Sequence, residues 1–345
     1  MPEKLSPEAF LDAAKLYPIL DVRSPGEYDR AHIPGAISFP IFVNDERAKV
    51  GTTYKQVGKD EAIELGLEIV GPKLATWVKM AKEIAVDNTV LVHCWRGGMR
   101  SGSMSWLFET AGIKVKTLIG GYKGYRNYVL GEFDRSIPFV VLGGKTGSGK
   151  TDILLEMQKR GAQVIDLEGI AHHRGSVFGH LGLEPQPTSE QFENEVVAQL
   201  RQMDYTKPIW IEDESRHIGQ VFMPLGLYSQ LRAAPILFLD IAAEYRLPHL
   251  VEVYAHYPKE ALAHAVGKIK KRLGGDYYKS ALEALGVDDF NLVAAITLNY
   301  YDKAYVHGLL KRSPEQIQEI IINTLETSIQ TDAVMAHAIC QTRFS

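Results

Sequence analysis

Residues Gly144-Lys145-Thr146-Gly147-Ser148-Gly149-Lys150-Thr151 match the pattern G-x-x-x-x-G-K-[ST] at every fixed position, and that pattern works in one structural setting only. The loop must leave the C-terminal end of a strand and open a helix, so that backbone N–H groups freed by glycine converge on phosphate oxygens. Pro138-Phe139-Val140-Val141-Leu142-Gly143 supplies the apolar strand, and residues 151–160 read as the helix, which Gly161 closes. Lys150 adds a point charge, and the Thr151 hydroxyl is of the kind that ligates magnesium. Three further apolar runs end in acids, Gln163-Val164-Ile165-Asp166, Pro208-Ile209-Trp210-Ile211-Glu212-Asp213 and Ile236-Leu237-Phe238-Leu239-Asp240, with helical stretches such as residues 189–203 between them. That alternation predicts a doubly wound parallel α/β sheet with its ligands at the strand C-termini. Glu212 or Asp213 is placed to order a metal or a water at the phosphate, and a purely local capping or salt-bridging role fits either acid equally.

A second anion-binding loop lies upstream, His93-Cys94-Trp95-Arg96-Gly97-Gly98-Met99-Arg100-Ser101. Thr89-Val90-Leu91-Val92-His93 reads as a buried strand that delivers Cys94, and residues 101–110 read as the following helix, closed by Gly112. Strand, loop, helix is the order that sets a thiol over a helix N-terminus, where the dipole and unpaired N–H groups stabilise the thiolate. Arg96 and Arg100 add positive charge from both sides. Asp21 and Arg23 read as a structural pair that fixes a turn, and His93 as a strand-end residue facing away from the cup.

Composition narrows the classes. A chain of 345 residues with 46% hydrophobic residues has material for two cores, and two cysteines, Cys94 and Cys340, are too few for a disulfide framework. A net charge of −4 excludes a global positive field for gathering nucleic acid, so any RNA contact must be local. The N-terminus lacks the basic start and apolar run of a signal peptide, and no apolar stretch reaches the length of a membrane span. The expectation is a cytoplasmic protein without membrane attachment.

One local basic patch stands out, Lys268, Lys270, Lys271 and Arg272 followed by Tyr277, Tyr278 and Lys279. Tyrosines that stack on splayed bases beside phosphate-binding lysines fit RNA, and a solvated helix face accounts for the same charges. Tyr122-Lys123-Gly124-Tyr125-Arg126-Asn127-Tyr128 has similar interleaving and fits interdomain packing as well. Residues 44–59 are polar and glycine-bearing; they read as a long loop, either a lid or RNA-contact segment or a surface excursion. In Ala171-His172-His173-Arg174-Gly175-Ser176 no third ligand follows the paired histidines, so the segment reads as a substrate-facing loop in which Arg174 meets phosphate. Residues 328–345 show no clear pattern.

Asp21-Val22-Arg23-Ser24-Pro25-Gly26-Glu27-Tyr28, Ala31-His32-Ile33-Pro34-Gly35-Ala36, the loop at Cys94 and Leu118-Ile119-Gly120-Gly121-Tyr122 together resemble the rhodanese domain over residues 1–133. The resemblance implies that Cys94 carries a chalcogen. One departure matters: Arg100 is six residues after Cys94, where the usual rhodanese loop has five, and C-x-x-x-x-x-R is also the spacing of cysteine phosphatases. The cup therefore takes either a bare sulfur or selenium anion or a whole phosphorus-bearing donor. With a phosphate-loop domain over residues 134–345 that ends in a helical part, the whole resembles the tRNA 2-selenouridine synthase family.

That resemblance implies a transferase that first S-geranylates a wobble 2-thiouridine of tRNA from geranyl diphosphate, then replaces the geranylthio group by selenium from selenophosphate. By matching position, Cys94 holds or delivers selenium, Arg96 and Arg100 stabilise the anion, and residues 144–151 grip a diphosphate. The two phosphorylated compounds are co-substrates, magnesium is a candidate, and no tightly bound cofactor is implied. The expected partners are the tRNA and a selenophosphate-producing enzyme. An ATP-dependent sulfurtransferase or a P-loop kinase with a rhodanese domain also fits the motifs, as does a nucleotide-gated binding module.

Overall fold

The computed structural model describes residues 2–342, with side chains described as far as His337. Cys340, for which the sequence offers no role, has its side chain outside the described residues. The chain divides into two compact units, one comprising the residues up to Glu132 with Glu193–Val197, the other Phe133–Phe192 and the residues from Ala198 onward.

The first unit is built on five parallel strands, β1 (Glu3–Leu5), β2 (Ile19–Asp21), β3 (Ile37–Ser38), β4 (Thr89–His93) and β5 (Lys114–Leu118), in the order β1-β5-β4-β2-β3. Every residue of β4 is buried, as expected for a central parallel strand covered on both faces. Leu20, Val22, Val90, Val92, Phe39 and Phe108 form its core with Trp77 of the helix Leu74–Ile84. Full burial of each such side chain contributes roughly 1.5–3 kcal/mol, which fixes the height of β4 and hence the position of Cys94 at its C-terminal end.

Residues 44–59 are not a loop. They fold into the helix Asn44–Gln56 and the start of a second, Lys59–Val70, joined at Gly58. Glu46 closes the first turn by accepting from the Val43 N–H at 3.0 Å and pairs with Lys73 at 2.6 Å. The first of these helices buries no residue, so it lacks the apolar periodicity that reveals a helix in sequence.

The second unit carries β6 (Phe139–Gly144), β7 (Gln163–Ile165), β8 (Ile209–Glu212), β11 (Ile236–Asp240) and β12 (Ile317–Ile321) as one parallel sheet in the order β12-β11-β6-β8-β7. A separate two-stranded antiparallel ribbon pairs β9 (His217–Ile218) with β10 (Val221–Phe222). From β6 the chain runs to β7 and back to β8 on one side, then to β11 and β12 on the other. The C-terminal end of β6 is therefore the switch point at which open α/β sheets bind ligands. A helical part with its own core, including Phe178, Leu262, Val266, Leu285 and Val293, completes the unit. The patternless tail forms the helix Thr327–Thr342, which packs against the helix Lys150–Lys159 and buries Val334. Among the described residues, no helix is long and apolar enough to cross a membrane.

Candidate functional site

Cys94 leaves β4 into a five-residue turn that enters the helix Met99–Thr110 at its N-cap, Gly98. Its residue is only 3% exposed, and Sγ lies 3.2 Å from the Ser101 hydroxyl, which also reaches the Gly98 carbonyl at 3.2 Å. Burial opposes ionisation. The Ser101 hydroxyl, the backbone N–H groups of Ser101 and Arg96, and the Arg100 charge outweigh it, so the Cys94 pKa sits below the ordinary thiol value.

The turn keeps its shape because a second glycine-rich segment is pressed against it. Tyr122 N–H donates to the Cys94 carbonyl at 2.8 Å and Lys123 N–H to the Trp95 carbonyl at 2.9 Å. Gly121, at φ +58°, comes so close that a Cβ there would lie 2.3 Å from the Cys94 carbonyl oxygen and 2.5 Å from the Gly97 nitrogen. Tyr122 and Tyr125 are interior residues of this unit and offer no stacking surface.

The two cup arginines differ. Arg96 is exposed, whereas Arg100 is held by both oxygens of Glu27, at 2.6 and 3.2 Å. Burial alone would raise the Glu27 pKa; the Arg100 hydrogen bonds and charge, the Ser24 N–H and Arg47 bring it down to about 2. Glu27 and Ser101 carry no role in the sequence reading. The readable signals are the S-x-x-E capping box at Ser24 and the hydroxyl that follows Arg100.

Asp21 and Arg23 are fully buried and pair through Nε at 2.9 Å and Nη2 at 2.5 Å. Arg23 also donates to the Ala31 carbonyl and lies 3.8 Å over the Tyr122 ring, so the pair braces the segment beneath the cup. His93 is buried beside Asp21, 3.7 Å away. Alkylation of Cys94 by iodoacetamide should therefore show a pH midpoint below the usual ~8.5 of a free thiol. Ser101→Ala should move it upward; an unshifted midpoint in the wild type refutes the thiolate cup.

In the second unit the phosphate loop follows β6 and opens the helix Lys150–Lys159, with Gly147 at φ +78° and Gly149 at φ +76°. Lys150 Nζ donates to the Gly144 carbonyl at 2.9 Å, Lys145 pairs with Asp240 at 2.8 Å, and Thr151 Oγ1 donates to Glu168 at 3.0 Å. Gly144, Thr146 and Ser148 complete the cradle; Ser148 is buried with its hydroxyl unpartnered. A buried guanidinium outside the motif shapes this loop. Arg246 donates to the Thr146 carbonyl at 2.9 Å and pairs with Asp302 at 2.9 and 2.7 Å. Peptide planarity then aims the Gly147 N–H the opposite way from the Thr146 carbonyl. Tyr305 accepts from the Gly144 N–H at 3.0 Å and donates to Asp213 at 2.9 Å.

The two candidate acids separate. Asp213 is committed to Tyr305 and to Arg312 at 2.7 Å. Glu212 is 0% exposed, accepts the Glu168 N–H at 2.7 Å through one oxygen and leaves the other unpartnered. Burial, reinforced by Asp166 and Glu168, raises its pKa well above the carboxylate range. Glu214 shares a hydrogen bond with Glu168 and is the protonated partner, raised by burial and by the Glu168 charge. Among the described residues no group of three or more His, Cys, Asp or Glu side chains is arranged to hold a metal ion.

Beside the loop opens a pocket lined by Thr146, Tyr254, Thr297 and Tyr301 and by apolar side chains, among them Leu250, Val251, Leu262, Phe290, Val293 and Leu298. The helices Ala243–Tyr254 and Phe290–Leu309 form much of its wall and also carry Arg246, Asp302 and Tyr305 to the loop. Ser176 and Phe178 of the 171–182 segment line it as well, and Arg174 donates to the Leu181 carbonyl at 3.0 Å and contacts Tyr254 of the pocket wall. His173 is buried, and its pKa is pushed down to about 4, so it is neutral.

Lys268, Lys270, Lys271, Arg272 and Tyr277 are all exposed, around the short helix Lys270–Leu273. Lys270 lies 4.8 Å over the Tyr278 ring, and Arg272 contacts the Tyr300 hydroxyl at 3.5 Å.

The sequence pattern of the tRNA 2-selenouridine synthase AAA domain matches residues 137–332, and that of the rhodanese-like domain matches residues 6–128. A tRNA 2-selenouridine synthase of Shewanella oneidensis is 36% identical over 296 residues, covering 78% of this chain and 76% of the relative. Proteins of the same name from Shewanella loihica and Shewanella sediminis are 35% and 34% identical, covering 87% of this chain and 89% and 90% of theirs. With a cysteine cup on one parallel sheet, a phosphate cradle on the next and relatives that span both, the chain belongs to the tRNA 2-selenouridine synthase family.

Proposed function

We propose that this chain replaces the sulfur of a wobble 2-thiouridine in tRNA with selenium, in two steps that use its two anion-binding loops. In the first, the thiocarbonyl sulfur attacks the C1 carbon of geranyl diphosphate, the C–O bond breaks, and the diphosphate departs into residues 144–151 with Lys150 opposite the developing charge. In the second, the P–Se bond of selenophosphate, handled by the Cys94 loop, breaks with the phosphoryl group passing finally to water, selenium adds to C2 of the base and geranylthiolate leaves. Alkylation turns a poor leaving group into a good one, and a soft chalcogen anion is the suitable attacker. Lys268, Lys270, Lys271, Arg272, Tyr277 and Tyr278 provide a surface for the RNA, and a selenophosphate-producing enzyme is the donor partner.

The observation that carries this reading is the apolar pocket opening on the phosphate loop at Thr146. A wall of Leu250, Val251, Leu262 and Phe290 beside a phosphate grip suits a prenyl diphosphate, which presents a charged head and an apolar tail. Two of the helices that line the pocket also hold the loop through Arg246 and Tyr305, so head and tail rest on one rigid frame. The test is to incubate the protein with an anticodon RNA bearing 2-thiouridine and selenophosphate, with and without geranyl diphosphate, and to follow the nucleosides by mass spectrometry. Selenouridine is expected only when geranyl diphosphate is present, preceded by the S-geranyl nucleoside. Equal rates without it would overturn the two-step reading.

A further inference from the structure

We infer that Cys94 acts on phosphorus: its thiolate attacks the phosphoryl group of the chalcogen donor, forming an S-phosphocysteine and releasing the chalcogen as an anion for the base. The inference deepens the proposed reading of the Cys94 loop and rests on selenophosphate, or its sulfur analogue thiophosphate, as donor.

Three observations support attack at phosphorus over storage of selenium on sulfur. The loop returns its arginine six residues after the cysteine, one residue more than a bare chalcogen carrier uses, with Gly97 in the left-handed region at φ +67°. Arg100 is fixed by a bidentate bond to Glu27 from a separate helix, Pro25–Arg30, so its guanidinium is preorganised for an oxyanion. Ser101 sits 3.2 Å from Sγ, where a hydroxyl stabilises a thiolate both before attack and as a leaving group.

The electron count decides the same way. In attack at phosphorus the S–P bond forms and the P–Se bond breaks. Selenium leaves with the bonding pair and the donor's proton as hydroselenide, and nothing is oxidised. Water then cleaves the S–P bond, giving inorganic phosphate and regenerating the Cys94 thiolate. Hydroselenide adds to C2 of the S-alkylated base, the C–Se bond forms, and the C–S bond breaks with the pair on geranylthiolate. Building an S–Se bond on Cys94 from the same thiolate and selenophosphate would instead remove two electrons, which requires an oxidant that neither co-substrate supplies.

Thiophosphate separates the routes, because a phosphoryl group and a single sulfur atom differ in mass. The full-length protein is mixed with inorganic thiophosphate, quenched within a turnover under mildly alkaline denaturing conditions, and the Cys94 peptide is weighed. An adduct with the mass of HPO3, absent from Cys94→Ala and accompanied by released sulfide, is the expected result. Ser101→Ala should lengthen the adduct's life by roughly tenfold, the scale of one lost hydrogen bond to a charged group. Arg100→Lys should lower its yield while leaving the cup folded, as judged by the alkylation rate of Cys94.

A sulfur-only adduct, or release of sulfide at the wild-type rate by Cys94→Ala, would overturn the inference. If the phosphoryl adduct forms but selenophosphate gives no selenouridine in alkylated RNA, the donor reading fails while the attack at phosphorus stands.

Discussion

Cys94→Ala should lower selenium incorporation into 2-thiouridine RNA by roughly a thousandfold or more while leaving its S-geranylation within twofold of wild type, because a missing nucleophile has no substitute. The Cys94 side chain is buried in the first unit, and Arg246 and Tyr305, which hold the phosphate loop, belong to the second. The substitution removes only the sulfur atom, and the turn remains pinned by backbone bonds from Tyr122 and Lys123 that do not involve the thiol. The cup should therefore persist. The expected phenotype is accumulation of the S-geranyl nucleoside, read by mass spectrometry of the digested RNA. Selenouridine at the normal rate would remove Cys94 from the mechanism, and loss of both steps would point to a folding defect, which melting temperature reveals.

Lys150→Ala should weaken binding of geranyl diphosphate by roughly 10- to 150-fold, from the ~1.5–3 kcal/mol of a hydrogen bond to a charged group. Lys150 is the cation nearest the acid cluster, and its Nζ is held over the loop by the Gly144 carbonyl at 2.9 Å. Lys145 is no substitute, since Asp240 holds it at 2.8 Å. With Lys150 gone, the diphosphate would be held by backbone dipoles alone beside the Glu168 charge. Calorimetric titration with geranyl diphosphate measures the loss; an unchanged affinity refutes the assignment of this loop to the diphosphate. The alkylation rate of Cys94 should be unaltered in the same variant.

How far each site was readable depends on how local its parts are. β7, β8 and β11 announce themselves as apolar runs that end in acids and β6 as one that enters the phosphate loop, and each forms in the sheet. β12 escaped because Gln318 and Glu319 interrupt it; it is an edge strand, and pairing with β11 alone demands no continuous apolar run. The helix Asn44–Gln56 escaped for the opposite reason, since a helix without a buried face has no period to read. Asp213 and Glu212 are neighbours in sequence and equivalent by motif, yet one is bound by Tyr305 and Arg312 and the other is buried facing Glu168. Only the alternation of β-strand faces, and what each face meets, separates them.

The chain by itself determined the cup at Cys94 and the cradle at residues 144–151, because both are made of backbone N–H groups whose directions follow from a few consecutive dihedral angles and a helix N-terminus. Tertiary structure decided which charges and walls surround them. Glu27 reaches Arg100 across 73 residues, and Arg246 reaches the Thr146 carbonyl across 100. The apolar pocket exists only where two distant helices meet beside the loop. Side-chain contacts of that separation are fixed by packing, which local residue preferences do not encode.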